Sequence, residues 1–263
     1  IAPTILERLA QGEVLFSNSA VGTYLQANGL EPGGCPEAMN SSAPEVVLRM
    51  SEEHYSSGAD MVLTNSFGGN RFMLAKYGYG DRVIELNQLA ARHARSKAPW
   101  GRFVVGSMGP TGEFLEPLGE VSEAAMYDAF GEQAKSLADG GADVILLETM
   151  TAIEEASIGV KAAKEVTGLT VMCTMTFDPG PRGFFTMMGV TPVQAVQTLS
   201  EVGADVVGAN CGNGIDNMVE IGRQMREATE GFMCIHSNAG IPQIVKGQIV
   251  YPESPEYMAG GFA

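Results

Sequence analysis

Short apolar runs alternate with longer amphipathic stretches along this chain, and no other feature limits its fold as much. The runs are 13–17 (EVLFS), 61–65 (MVLTN), 103–107 (FVVGS), 143–148 (DVILLE), 170–176 (TVMCTMT), 205–210 (DVVGAN) and 232–237 (FMCIHS). They are nearly continuous in apolar character, as strands covered on both faces of a parallel sheet must be. Helix-like segments lie between them at 44–57, 81–97, 122–139, 152–166, 191–202 and 216–229. Ser122 ahead of Glu123 and Thr191 ahead of Pro192 supply sensible helix starts, a capping hydroxyl and a proline at the first helical position. The tripeptide Gly-Ala-Asp stands at 58–60, 141–143 and 203–205, each time between helix and strand. Glycine can end a helix in a left-handed conformation, and alanine lets the returning chain pack closely. The pattern reads as one αβ-loop geometry used three times, not as a repeat protein.

Parallel alternation leaves two main choices, a closed barrel or a doubly wound sheet. A doubly wound dinucleotide fold carries G-x-G-x-x-G after its first strand. Here that place reads Ser17-Asn-Ser-Ala-Val-Gly-Thr23. The length of 263 residues suits a single parallel (β/α)8 TIM barrel over 1–263, a fold of about 250 residues. Such a barrel needs eight strands. Residues 238–263 read as a loop rich in Gly and Pro, followed by the start of a helix near 254–262. An open parallel edge invites aggregation, so the expectation is a C-terminally incomplete barrel whose eighth strand is missing from this chain.

With 16 Lys and Arg against 31 Asp and Glu, the formal charge is −15. That field repels a phosphate backbone and argues against nucleic acid as a partner. The four cysteines show no C-x-x-C pair and suit a reducing, cytoplasmic setting better than a disulfide framework. No basic segment precedes an apolar run at the N-terminus, and no run of 18 apolar residues exists. Neither a signal peptide nor a membrane span is expected.

Barrel enzymes place their chemistry at the C-terminal ends of strands. Those ends hold Ser17–Ser19, Thr64–Phe67, Ser107–Pro110, Glu148–Met150, Thr174–Asp178, Asn210–Asn213 and His236–Asn238. This crown is polar, mostly uncharged, and lacks the Lys and Arg of a phosphate site. Cys211, in Asn-Cys-Gly-Asn, is either a nucleophile or soft metal ligand, or a buried inert thiol. His236 is the available base if it is a nucleophile. Glu148 ends an apolar run and needs a partner there, either a substrate ammonium or an arginine such as Arg182. Cys173 and Cys234 lie inside strands and read as inert. Cys35 reads as structural or incidental, and His54 and His93 as structural or surface residues.

At this point the residues spell a family. The chain resembles the homocysteine S-methyltransferases, through Ala20-Val-Gly-Thr-Tyr-Leu25, Gly34-Cys-Pro-Glu-Ala-Met-Asn40, Gly58-Ala-Asp-Met-Val-Leu-Thr-Asn-Ser-Phe67 and Ser107-Met-Gly-Pro-Thr-Gly112. The resemblance continues through Gly141-Ala-Asp-Val-Ile-Leu-Leu-Glu-Thr-Met150, Met188-Gly-Val-Thr-Pro192, Gly208-Ala-Asn-Cys-Gly212 and Ser237-Asn-Ala-Gly240. Each stretch is weak alone; in this order over nearly the whole chain they are highly specific.

The resemblance implies a zinc ion held by three cysteine thiolates. Cys211 matches the first, and the other two belong to a Gly-Gly-Cys-Cys stretch ending an eighth strand that this chain does not reach. It also implies that zinc lowers the pKa of a substrate thiol, which then attacks an activated methyl group. Glu148 would grip the amino acid's ammonium, and groups near Asn18, Ser19, Ala20, Thr64 and Ser66 would position the rest. One departure stands out. The family's first strand usually ends Asp-Gly-Ala-Met-Gly-Thr, and here Asn18 and Ser19 replace the Asp and the first Gly. The Asp helps to hold the ammonium. Asn18 keeps the shape and an acceptor oxygen but not the charge, a loss of about 1.5–3 kcal/mol for a charge-assisted hydrogen bond. Three functions are therefore in view: methyl transfer to a zinc-bound thiol such as homocysteine; a corrinoid-system methyltransferase that moves methyl from a methylated substrate to a corrinoid protein; and a non-catalytic module that binds a small ligand.

Overall fold

The structure, a computed structural model, describes residues 2–18, 20–212, 214–245 and 248–262. The chain divides into two compact units, residues 1–147 with 158–171, and residues 148–157 with 172–263.

The first unit builds its sheet from β1 (Met61–Leu63), β2 (Phe103–Met108) and the start of β3 (Val144–Met150). All are parallel, with Met61 opposite Phe103 and Val105 opposite Val144. All six residues of β2 are buried, as a strand covered on both faces requires. Helices α1 (Ile5–Ala10), α2 (Val21–Ala27), α3 (Met39–Ser42), α4 (Pro44–Ser56), α5 (Arg71–Lys76), α6 (Val83–Lys97) and α7 (Glu123–Gly140) accompany them. Ser122 caps α7 by accepting from Ala125 N at 3.2 Å, as its sequence position suggests. Helix α8 (Ile153–Thr167) belongs partly to each unit.

The second unit contains most of β4 (Thr170–Met175), and in full β7 (Val206–Cys211) and β8 (Phe232–Ser237), also parallel. The antiparallel hairpin β5 (Asp178–Gly180) and β6 (Gly183–Phe185) follows β4. A second hairpin, β9 (Gln243–Val245) and β10 (Gln248–Val250), follows β8. Helices α9 (Pro192–Glu201), α10 (Ile215–Glu227) and α11 (Pro255–Phe262) complete it. Thr191 and Gln194 form a capping box at the start of α9, with Pro192 in its first turn. Gly208 leaves no room for a side chain between β7 and β8: a Cβ there would collide with the Cys234 carbonyl oxygen.

The Gly-Ala-Asp punctuation has a common geometry. Gly58, Gly141 and Gly203 have φ of 103°, 107° and 102°. Each following alanine N–H returns to a carbonyl five residues back, Ala59 to His54, Ala142 to Leu137 and Ala204 to Leu199. This is a Schellman-type helix end, which glycine adopts without the Cβ penalty. In the first unit the aspartates then cap neighbouring backbone: Asp60 Oδ2 accepts from Phe16 N at 3.0 Å, and Asp143 Oδ2 from Val104 N at 2.7 Å.

Six of the seven expected strands are present, in α/β order. The exception is 13–17, which makes only an isolated parallel bridge between Ser17 and Met61. Val14 and Phe16 are 76% and 64% exposed, so burial gives that run no reason to extend. Strand β1 is shorter than its apolar run, because Ser66 N turns back onto the Thr64 carbonyl at 3.0 Å. Both hairpins and several short helices of the first unit lack the periodicity that would have announced them.

Candidate functional site

The chemistry of the second unit gathers at the ends of β3, β4 and β7. Its hub is Asn210, a buried residue one position before Cys211. Its Oδ1 accepts from Thr149 N at 2.7 Å and from Thr174 Oγ1 at 2.8 Å. Its Nδ2 donates to Thr149 Oγ1 at 2.7 Å and to Cys211 Sγ at 3.3 Å. Thr176 Oγ1 donates to the Asn210 carbonyl at 2.6 Å, and Thr176 N to the Met150 carbonyl at 3.0 Å.

Thr149 and Cys211 have φ of 61° and 62°. Left-handed backbone is uncommon outside glycine and a true outlier for a β-branched residue, at a cost of about 1–3 kcal/mol each. The Asn210 amide binds both strained residues at once. The left-handed residues lie just after Glu148 and at Cys211 itself, near the C-terminal ends of β3 and β7, and the carboxylate is near enough for its charge to act on the thiol.

The electrostatics agree. Burial pushes the Cys211 thiol above its ordinary pKa. The hydrogen bond with Thr149 opposes that push, the Glu148 charge adds to it, and bonds with Thr176 and Asn210 oppose it again. The same carboxylate raises Cys234, which burial alone already pushes up, to about 12. Glu148 is half-buried and faces two thiols. Burial and the Glu148 charge both favour the protonated thiol at Cys211. A cation placed there would reverse both influences. Half-exposed thiol and carboxylate suit a ligand that brings positive charge to one and a soft partner to the other.

His236 Nε2 lies 3.5 Å from Cys234 Sγ, and burial pushes the imidazole down to about 4, neutral at pH 7. Arg182 stacks over the Phe185 ring, 5.6 Å from its centroid. Among the described residues no group of three or more His, Cys, Asp or Glu could hold a metal ion. Cys211 has the softness of a zinc ligand, but one thiol is not a zinc site.

The expected residues of the first unit form their own network. Asn18 is buried, and its Oδ1 accepts from Leu63 N at 2.6 Å. That acceptor oxygen ties the chain to β1, while Nδ2 has no hydrogen-bond partner among the described residues. Ala20 is exposed, with φ of 62° at the start of α2. Thr64 Oγ1 lies 2.6 Å from Ser66 Oγ, Ser66 Oγ donates to the Ser107 carbonyl at 2.7 Å, and Ser107 N donates to Thr64 Oγ1 at 3.1 Å. Both hydroxyls are buried and brace the ends of β1 and β2. Ser19 lies outside the described residues.

Sequence reasoning did not single out Asn210, Thr149, Thr174 or Thr176. The strand-end Asn before the Cys is the one signal that could have found them. It also passed over Glu37, a buried carboxyl that burial raises in pKa; it accepts from Gly68 N at 2.6 Å and from the Cys35 thiol at 3.3 Å. Cys35 is buried and held by that bond. His54 and His93 likewise bond backbone carbonyls, of Met50 and Asn40.

Comparison with known proteins bears on this geometry. A family model described as Homocysteine S-methyltransferase matches residues 15–263. Methionine synthase of Mycobacterium tuberculosis (strain ATCC 25618 / H37Rv) is 33% identical over 279 residues, covering 98% of this chain and 23% of the relative. Methionine synthase of Mycobacterium leprae (strain TN) is 31% identical over 276 residues, covering 98% and 22%. The chain thus spans under a quarter of the length of these curated relatives. Among solved structures, the metallated form of the homocysteine methyltransferase MmuM from Escherichia coli superposes with a TM-score of 0.76 at 19% identity, covering 89% of this chain and 87% of that one. Its oxidized form gives 0.73, again at 19% identity, covering 89% and 85%. These likenesses show the fold, a TIM barrel, of which the described parallel strands are a part. Among the described residues no helix is long and apolar enough to cross a membrane.

Proposed function

The chain belongs to the homocysteine S-methyltransferase family, and from that premise we propose that this methyltransferase moves a methyl group onto the sulfur of a small thiol such as homocysteine. The observation that carries the reading is the Asn210 amide that joins Cys211 to Thr149, the neighbour of Glu148, with the Glu148 charge acting on the thiol. Glu148 receives the substrate ammonium, where a carboxylate supplies a charge-assisted hydrogen bond. Cys211 marks the sulfur end. The S–CH3 bond forms as the donor's bond to methyl breaks, and the thiol proton leaves.

Zinc enters the proposal through Cys211 alone. When bound, zinc lowers the pKa of a coordinated thiol. The described residues supply one ligand for it, so no step is assigned to the metal. A corrinoid-bearing partner or domain is the methyl donor in this reading.

Asn18 favours a second reading, in which methyl passes from a methylated substrate to a corrinoid protein. Its neutral amide, already bonded to Leu63 N, offers an ammonium no charge. Methyl transfer by the full-length protein, assayed with homocysteine and with a corrinoid acceptor, separates the two. The first reading expects methionine to form and Glu148→Gln to raise KM about 10- to 100-fold, the equivalent of one charge-assisted hydrogen bond. Cobalt methylation without methionine would overturn it in favour of the second.

A further inference from the structure

We propose that Asn210 is a positioning residue that fixes the spacing between the sulfur end and the ammonium end of the substrate site, and thereby selects substrates by chain length. The inference rests on the proposed function and adds a determinant of specificity to it. A substrate that bridges Cys211 and Glu148 must span a set distance, and something has to hold that distance. Strand pairing alone does not fix it, because both strands end in strained, left-handed residues. The Asn210 side chain makes the connection. One amide binds Thr149, next to Glu148, through both its N–H and its hydroxyl, and binds Cys211 at its sulfur. Thr174 Oγ1 occupies the remaining acceptor position of Oδ1 at 2.8 Å. Both donors and the acceptor oxygen are engaged, and the residue is 2% exposed. An amide held on all sides cannot drift, so neither can the two ends that it joins.

Homocysteine and cysteine carry the same two recognition groups and differ by one methylene. A fixed span favours the one that fits, and one methylene is commonly worth about 10- to 200-fold in kcat/KM. Loosening the span costs the fitting substrate more than the misfit. An Asn210 that served folding alone would cost both equally.

The test uses the full-length protein as purified. Steady-state kinetics and binding calorimetry are run with homocysteine and with cysteine. The variants are Asn210→Asp, which loses both donors, and Thr149→Ala, which removes the hydroxyl that the amide and the thiol share and leaves the amide itself in place. Ile221→Val, a buried change in α10, serves as a control for stability. The wild type is expected to prefer homocysteine about tenfold or more. The Asn210 and Thr149 variants should shrink that preference about tenfold, chiefly through a higher homocysteine KM and weaker homocysteine binding, while Ile221→Val leaves the ratio unchanged. If both site variants keep the wild-type ratio while losing activity on the two thiols alike, the inference is overturned and the proposed function stands. A wild type that neither binds nor methylates any thiol would instead sink the proposed function and this inference with it.

Discussion

The two polar networks at the strand ends are built differently. In the first unit, Thr64, Ser66 and Ser107 bond one another, all neutral and all buried. In the second unit, Asn210 holds two left-handed residues and leaves a thiol and a carboxylate half-exposed. The first spends its hydrogen bonds on joining strands. The second spends them on holding strain, and strain persists only where the surroundings over-determine it. The contrast separates a brace from a site more sharply than polarity does, since both sets consist of Thr, Ser and Asn with few charges.

Substitutions can break that contrast. The largest effect is expected at Gly208, where Ala would drive a Cβ into the Cys234 carbonyl oxygen. Gly208→Ala should lower stability by about 3 kcal/mol, the upper range for overpacking, and urea titration reads it directly. Next comes the brace. Ser66→Ala removes the bond to the Ser107 carbonyl and leaves Thr64 Oγ1 without its hydroxyl neighbour. A cost of about 2 kcal/mol is expected from buried groups losing partners, again from urea midpoints.

The third effect depends on pH. His236 ordinarily titrates near 6.5 and is pushed down to about 4 by burial. Between these values the unfolded chain binds the proton and the folded one does not. Its contribution to stability is therefore complete above about pH 6.5 and falls away as pH drops toward 4. Urea midpoints from pH 7 to pH 4.5 should decline in the wild type, and the decline should be shallower in His236→Gln. Equal slopes would remove His236 from the account. The smallest effect belongs to Ala20, left-handed but exposed. Ala20→Gly should raise stability by about 0.5 kcal/mol, strain relief less the entropy that glycine adds to the unfolded chain. A loss there would mean that the residue is held by something besides its backbone.

Much of the framework was legible because apolar periodicity and helix punctuation are local. The Gly-Ala-Asp loops, the Ser122 cap and the Thr191-Pro192 start all act within a few residues, and the sequence states each of them. The run 13–17 misled because composition does not reveal that Val14 and Phe16 face outward. Of the site, Cys211 and Glu148 could be found from their places at strand ends. Asn210 shares that strand-end position, but its reach to Thr149 across 61 positions of chain is not written in the sequence. Positive φ at Thr149 and Cys211 is equally silent in the sequence, since neither is a residue type that announces it. The bond that Asn18 accepts from Leu63 N spans 45 positions of chain and is equally silent in the sequence.

Homocysteine binding to full-length protein, followed by calorimetry in the wild type, Cys211→Ser and Glu148→Gln, tests the central claim most directly. The account predicts binding in the wild type, loss of measurable binding in Cys211→Ser and weakening of about 10- to 100-fold in Glu148→Gln. Wild-type affinity in both variants would contradict it and place the substrate elsewhere on the chain.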